Sequence, residues 1–144
     1  MIYPAPTAKI DPTLARGLLE AIVEPTSSRP GHIVISLPNS NYQMHLLPTS
    51  PITAEIGKRI TGTIRAKARR IDTVLTGGRY VEPVFGRPRR IQGSVLAVAA
   101  DAVVVDAAVP VHVTPTDTRQ KASDFAVGQF VSFDALDGAT FTQA

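Results

Sequence analysis

The sequence predicts a mostly-β protein, a small antiparallel β-barrel of about seven strands with one short N-terminal helix. Three observations support this fold class. Several short segments alternate between apolar and polar side chains, turn residues separate these segments, and helices do not alternate with strands along the chain. Closure into a barrel is favoured because it leaves no open sheet edge.

A short helix is predicted near the N-terminus. Asp11 is a residue type that caps helices, and Pro12 follows it at the first helical position. Apolar residues then recur at helical spacing, at Leu14, Leu18 and Ile22. We expect a helix over about 12–23 that packs on the domain, or alternatively serves in dimerisation. Residues 1–25 are thus an extended arm and a helix, and residues 26–144 are the barrel domain.

A β-hairpin is predicted at residues 32–47, where the segments HIVISL and YQMHLL flank the turn sequence PNSN. If Leu37 faces Tyr42, one face of this hairpin is apolar and consists of Ile33, Ile35, Leu37, Tyr42, Met44 and Leu46. His32 and His45 then lie diagonally across the more polar face.

The segment KRITGTIRAKARRI predicts a long strand with one charged face. Ile60, Gly62, Ile64, Ala66 and Ala68 alternate with Arg59, Thr61, Thr63, Arg65, Lys67 and Arg69. All charged residues from 59 to 69 therefore share one side of the strand. A helix over 65–75 is the competing interpretation, because Ala, Lys and Arg favour helices.

The remaining strands are short or strongly apolar. Residues 80–86 predict a strand interrupted by Pro83, at an edge or a bulge. The run 91–113 predicts a hairpin buried on both sides, and a second subunit is expected to cover one side if the chain itself does not. Residues 130–142 predict a closing hairpin with its turn at Asp137-Gly138.

The hairpin GSVLAVAADAVVVD and the closing segment FAVGQFVSFDA resemble the strands of OB-fold and S1-like barrels. The resemblance covers about residues 58–142, while the N-terminal helix and the long basic strand lie outside it. It implies an OB-like barrel and a capacity to bind oligonucleotides.

Positive charge is concentrated in residues 58–90. This segment has ten basic and two acidic residues, a net charge of +8, whereas the remainder has five basic and ten acidic residues, a net charge of −5. Such asymmetry indicates the kind of partner rather than the fold.

The basic segment predicts a site for RNA or single-stranded DNA. Side chains two apart on a strand are about 6.6 Å apart, so a row of Arg and Lys is able to follow a phosphodiester backbone. Aromatic side chains near that row would stack on bases. The predicted interface consists of Arg59, Arg65, Lys67, Arg69, Arg70, Arg79, Tyr80, Phe85, Arg87, Arg89 and Arg90.

The sequence is also compatible with two other classes of function. The basic face would also suit a structural or assembly subunit that forms a homo-oligomer or docks on an acidic protein. A solvated β face that prevents edge aggregation explains the same charge without a partner. A small-molecule enzyme would need an apolar pocket with convergent polar groups, for which His32 and His45 are the candidates.

The sequence contains no signature of a catalytic or cofactor-binding site. The chain has no cysteine, which excludes disulfides, zinc ribbons, iron–sulfur clusters and thiol catalysis. It lacks GxSxG, GxGxxG, GxxxxGK[ST] and HExxH motifs, so we predict no catalytic residue, no metal site and no cofactor. No signal peptide or long apolar segment is apparent, and Arg outnumbers Lys, so a cytoplasmic bacterial protein is expected.

Overall fold

The computed structural model describes residues 11–75 and 77–144, and these residues form an all-β structure. The strands are β1 (Ala15–Val23), β2 (His32–Ser36), β3 (Gln43–Pro48), β4 (Arg59–Ala68), β5 (Asp72–Thr73), β6 (Tyr80–Glu82), β7 (Phe85–Gly86), β8 (Arg90–Val98), β9 (Val103–Asp106), β10 (Pro110–Pro115), β11 (Phe130–Asp134) and β12 (Thr140–Gln143). Within the described residues, the one helical element is a 3₁₀ turn at Ala122–Asp124. The predicted arm at residues 1–10 lies outside them.

Five strands close into a barrel in the order β1, β2, β3, β12, β4 and back to β1. β1 is antiparallel to both of its neighbours, β2 and β4. β12 closes the ring, because it pairs parallel with β3 and antiparallel with β4. A β-barrel is therefore confirmed and is compatible with an OB-like fold, but it has five strands where about seven were predicted, and one of its pairings is parallel.

The sheet extends beyond the barrel from β4 through β10, β9, β8, β11 and β5, which we call the extension. Arg65 pairs with His112 of β10 and also with Thr140 of β12, so these two strands lie on opposite sides of β4. β4 is thus a strand of the barrel and of the extension at once.

One apolar core runs through both parts. Fully buried side chains in the barrel include Leu19, Ile33, Met44, Leu46, Ile64 and Phe141, and those in the extension include Ile91, Val95, Val103, Val131 and Phe133. Each such side chain contributes about 1.5–3 kcal/mol relative to an exposed position. The predicted hairpin of β2 and β3 is confirmed with its predicted apolar face, since Ile33 pairs with Leu46 and Ile35 with Met44.

The predicted N-terminal helix is wrong, because residues 15–23 form β1. Asp11 does start a turn, and its Oδ1 accepts a hydrogen bond from the Thr13 amide at 2.9 Å. The chain then becomes extended instead of helical. The residues that face the barrel interior alternate, and they are Ala15, Gly17 and Leu19. Leu18 and Ile22, which suggested a helix, are each 42% exposed.

The strand interpretation of the basic segment is confirmed, and the alternative helix over 65–75 is wrong. β4 alternates in burial over its whole length, with Ile60, Gly62, Ile64, Ala66 and Ala68 buried. Pairing on both edges outweighs the helix propensity of Ala, Lys and Arg, which tertiary contacts commonly override. A turn follows at Arg69 and Arg70 before the short strand β5.

The hairpin predicted for the apolar run 91–113 is present as β8 and β9, and its second arm continues into a separate strand, β10. The central residues Val103–Val105 are at most 2% exposed within one chain. The closing hairpin is not formed, because β11 pairs with β8 and β5 whereas β12 pairs with β3 and β4. The interruption at Pro83 is confirmed, since it separates β6 from β7.

Candidate nucleic-acid interface

The outer face of β4 carries the predicted basic row. Arg59, Arg65 and Lys67 are exposed and alternate with the buried side chains of this strand. The Arg65 guanidinium donates a hydrogen bond from Nη1 to Thr142 Oγ1 on β12, at 3.3 Å. Neither Arg65 nor Lys67 forms an ion pair with any described carboxylate. Both cations are therefore available to an anionic partner.

Arg59 lies at the far end of this row, about 20 Å along the strand from Arg65. It lines a separate cavity with Arg16 of β1 and with the loop at residues 38–40. The structure does not bring it together with the other predicted interface residues.

Four of the predicted basic residues are paired with carboxylates of the same chain. The N–O distances are 3.4 Å for Arg70 with Asp117, 3.6 Å for Arg79 with Asp106, 3.6 Å for Arg87 with Asp137 and 2.8 Å for Arg90 with Asp134. Exposed pairs of this kind contribute about 0–1 kcal/mol each and are screened by salt. They lower the effective charge of the basic segment without blocking its side chains.

Two runs of basic residues, 65–70 and 87–90, lie on opposite sides of one backbone segment, residues 134–138. The Leu136 amide donates a hydrogen bond to the Lys67 carbonyl at 2.7 Å, and the Ala135 amide donates to the Arg89 carbonyl at 2.8 Å. This segment contributes Asp134 and Asp137. The two basic runs of the predicted interface are therefore close together, but an acidic segment separates them.

The two predicted aromatic residues differ in their exposure. Tyr80 is half-buried, and its hydroxyl contacts Gln92 Oε1 at 3.2 Å. Phe85 is 63% exposed, and its ring packs edge-on against His45, with ring centroids 4.5 Å apart. His45 in turn stacks on His32, with centroids 4.9 Å apart. Phe85 and the two histidines therefore form one aromatic cluster on the outer face of β2 and β3.

A cavity of about 480 Å³ lies beside this aromatic cluster. Its walls come from β2 and β3 and from three connecting segments: the loop before β2, the segment after β7 and the segment before β12. The lining residues are Ser28, Arg29, Pro30, His32, His45, Leu47, Arg87, Pro88, Asp137, Gly138 and Ala139. A cavity of this size and mixed polarity is typical of a site for a small molecule or for one unit of a polymer.

His45 lies in a positive electrostatic environment. Burial lowers the pKa of His45 below its ordinary 6.5, and the neighbouring His32, Arg29 and Arg87 lower this pKa further. Both ring nitrogens of His45 are buried and have no hydrogen-bond partner among the described residues. Asp137 is the acidic residue that lines the same cavity. The cavity thus combines several cationic groups with unsatisfied hydrogen-bonding atoms.

The lowered pKa of His45 predicts a pH-dependent stability. Above about pH 6.5 the imidazole is neutral in both the folded and unfolded chains, and the native contacts are fully present. As the pH falls from 6.5 through the lower folded-state pKa, the unfolded chain binds the proton more readily, so stability decreases. Urea denaturation at pH 7.5 and pH 5.5 should show this decrease. In His45→Gln the decrease should be smaller, and an equal decrease would contradict the assignment.

Two parts of this site were not predicted from the sequence. Arg29 lies in an irregular loop, and only the closure of the barrel brings it towards β3. Asp134 and Asp137 were assigned to a turn, and their contacts with the basic segment depend on pairing between distant parts of the chain. By contrast, the diagonal placement of His32 and His45 is confirmed. On the other side of β4, His112 Nε2 of β10 lies 2.9 Å from the Thr13 carbonyl oxygen.

The fold and site together define a small all-β protein with a closed five-stranded barrel and a basic outer face. Comparison with known protein families, with curated proteins and with solved structures gives no match. Among the described residues, no three or more His, Asp or Glu side chains are grouped as a metal site. No helix in this part of the chain is long and apolar enough to span a membrane.

Proposed function

We propose that this protein is a non-catalytic module that binds RNA or single-stranded DNA on the outer face of β2, β3, β12 and β4. The observation that carries the proposal is the presence, on one continuous face, of an aromatic cluster with an exposed Phe85 and of basic side chains that have no carboxylate partner among the described residues. Basic side chains neutralise phosphates, and aromatic rings stack on bases of any sequence.

The strand register joins the two halves of this face. Arg65 pairs with Thr140 of β12, and Thr140 pairs with Leu47 of β3, which lines the cavity. Because neighbouring strands are about 4.8 Å apart, the backbone of Arg65 lies only about 10 Å from that of Leu47. A single strand of nucleic acid is long enough to contact the basic row and the aromatic cluster together.

The location agrees with the general use of OB-like barrels. In such folds the face of the second and third strands, with the loops at its ends, binds oligonucleotides or oligosaccharides. Here the aromatic cluster lies on β2 and β3, and the cavity includes the loop between β1 and β2. Phosphates would dominate the affinity, so we expect strong salt dependence and weak sequence preference.

Replacing Arg65, Lys67 and Arg69 together by Ala tests the proposal. We expect the affinity for a labelled single-stranded 12-mer of mixed sequence to fall at least tenfold at 50 mM salt. The slope of log K against log salt should decrease by about 2, since each phosphate contact on a single strand contributes about 0.7. Fluorescence anisotropy across a salt series measures both quantities, and circular dichroism checks that the fold is retained.

A control variant removes the same charge elsewhere. Arg16, Lys58 and Lys121 are exposed and do not belong to the proposed face, so their joint replacement by Ala should change the affinity much less. Unchanged affinity in the first variant, or equal losses in the two variants, would rule out the proposed face.

The alternative function is a structural or assembly subunit. It would be supported by an oligomer that dissociates at high salt, together with no affinity for oligonucleotides. Light scattering of the pure protein at 50 mM and 500 mM salt distinguishes the two functions. We favour nucleic-acid binding because Arg65 and Lys67, which have no carboxylate partner among the described residues, share one face with an aromatic cluster on which bases could stack.

A further inference from the structure

We propose that the cavity beside His32 and His45 binds a terminal phosphate, the phosphomonoester at the end of a nucleic-acid strand. This inference rests on the proposed function, and it assigns a separate role to one part of the interface. The basic row on β4 would hold internal phosphodiesters, whereas the cavity would select a strand end.

Two arginines and two histidines converge on the cavity from four elements. Arg29 comes from the loop before β2, Arg87 from the segment after β7, and His32 and His45 from the strands between them. Asp137 is the one carboxylate in the lining. The balance of charge therefore favours an anion, and guanidinium groups are well suited to bind phosphate with paired hydrogen bonds.

The pairing of Arg87 with Asp137 does not prevent this binding. Their closest N–O distance is 3.6 Å, and the two side chains are 60% and 81% exposed. A pair this exposed is weak because water competes for both groups. A phosphate is able to replace Asp137 as the partner of Arg87 at small cost.

The unsatisfied ring of His45 is a further feature of the cavity wall. A neutral imidazole carries one N–H donor, and neither ring nitrogen of His45 has a partner among the described residues. Burial is the main cause of the lowered pKa of His45, and the neighbouring His32, Arg29 and Arg87 lower it further. A bound dianion would reverse that effect, because it favours the protonated imidazolium.

The charge of the ligand distinguishes a strand end from the middle of a strand. A terminal phosphate carries about −1.5 to −2 charges at pH 7, as phosphate monoesters do, whereas an internal phosphodiester carries a single charge. The two arginines of the lining, Arg29 and Arg87, match the larger charge. The apolar walls made by Pro30, Leu47, Pro88 and Ala139 would contact the sugar and base next to it.

The test compares three 12-mers of one sequence, each with an internal label. One carries a 5′-phosphate, one a 3′-phosphate, and one has hydroxyl groups at both ends. We expect one phosphorylated 12-mer to bind about tenfold more tightly than the hydroxyl form. In Arg29→Ala/Arg87→Ala this ratio should fall to about 1. In Arg65→Ala/Lys67→Ala all three affinities should fall by a similar factor, so the ratio should be retained.

The outcomes separate this inference from the proposed function. Equal affinity of the wild-type protein for all three 12-mers would overturn the inference and leave the proposed function standing. Absence of binding to any 12-mer would overturn both. A nucleoside 5′-monophosphate is the competitor that tests the source of the phosphate. If it binds as tightly as the phosphorylated 12-mer, the site belongs to a free nucleotide and the strand-end assignment is wrong.

Discussion

Replacing Phe141 by Ala is expected to lower the free energy of unfolding by about 3–5 kcal/mol. Phe141 lies on β12, the strand that closes the barrel, and its side chain is 1% exposed. It pairs with Ile64 of β4 and with Pro48 of β3, so it joins the two strands that carry the proposed interface. Ala would leave a cavity that the neighbouring rigid strands are unable to fill.

Gly62 explains why the Phe141 ring has little freedom to move. A Cβ atom at Gly62 would approach Phe141 Cζ to 2.5 Å, so the ring occupies the space that a side chain would need. Urea denaturation followed by far-ultraviolet circular dichroism measures the loss, which suits a chain without Trp. Phe85→Ala is the matched control. It removes the same group from a 63% exposed position, and it should cost less than about 1 kcal/mol. Equal losses would contradict the burial argument.

Replacing Gly93 by Ala is expected to destabilise the extension by about 3 kcal/mol, at the upper end of the usual cost of overpacking. Gly93 lies on β8, where a Cβ atom would clash with the Asp106 carbonyl oxygen and would lie 2.6 Å from the Asp106 carbonyl carbon and 3.0 Å from Ala107 Cα. These atoms belong to the backbone and are unable to move away as a flexible side chain would. Relief of the clash therefore requires separation of β8 from the end of β9.

Gly78→Ala provides the control for this prediction. Apart from Gly78 itself and its two chain neighbours, no atom of residues 11–75 and 77–144 lies within 4 Å of the position that its Cβ would take, so the free energy of unfolding should change by less than about 1 kcal/mol. The two variants are compared by the same denaturation experiment. A loss of less than 1 kcal/mol in Gly93→Ala would show that β8 and β9 are less closely packed than the structure indicates.

Local sequence patterns predicted the parts of the fold that depend on neighbouring residues. The alternation in β4 and the hairpin of β2 and β3 are confirmed, because each is encoded within about ten to sixteen residues. The prediction of a helix at 12–23 was wrong because the outward Leu18 and Ile22 dominated the apolar pattern, whereas the inward Ala15 and Gly17 are small. Gly17 is required there, since a Cβ atom would lie 2.6 Å from Ile35 Cγ2.

Such local patterns did not predict the pairing between strands that are distant in sequence. The segments of β11 and β12 are separated by a turn sequence that resembles a hairpin, yet they belong to different parts of the sheet. The same distinction between local and long-range features applies to the candidate site. The basic row of β4 and the diagonal histidines follow from local alternation, whereas Arg29 and the carboxylates of residues 134–138 join the site only through closure of the barrel.

The position of β4 between the barrel and the extension couples the stabilities of both parts. Arg65 has a paired strand on each side, so separation of either neighbour exposes backbone groups of the same strand. The protein should therefore melt in a single cooperative transition. Nucleic acid bound at Arg65 and Lys67 would then slow amide hydrogen exchange in β9 and β8 as well as in the barrel, although neither of these two strands pairs with β4.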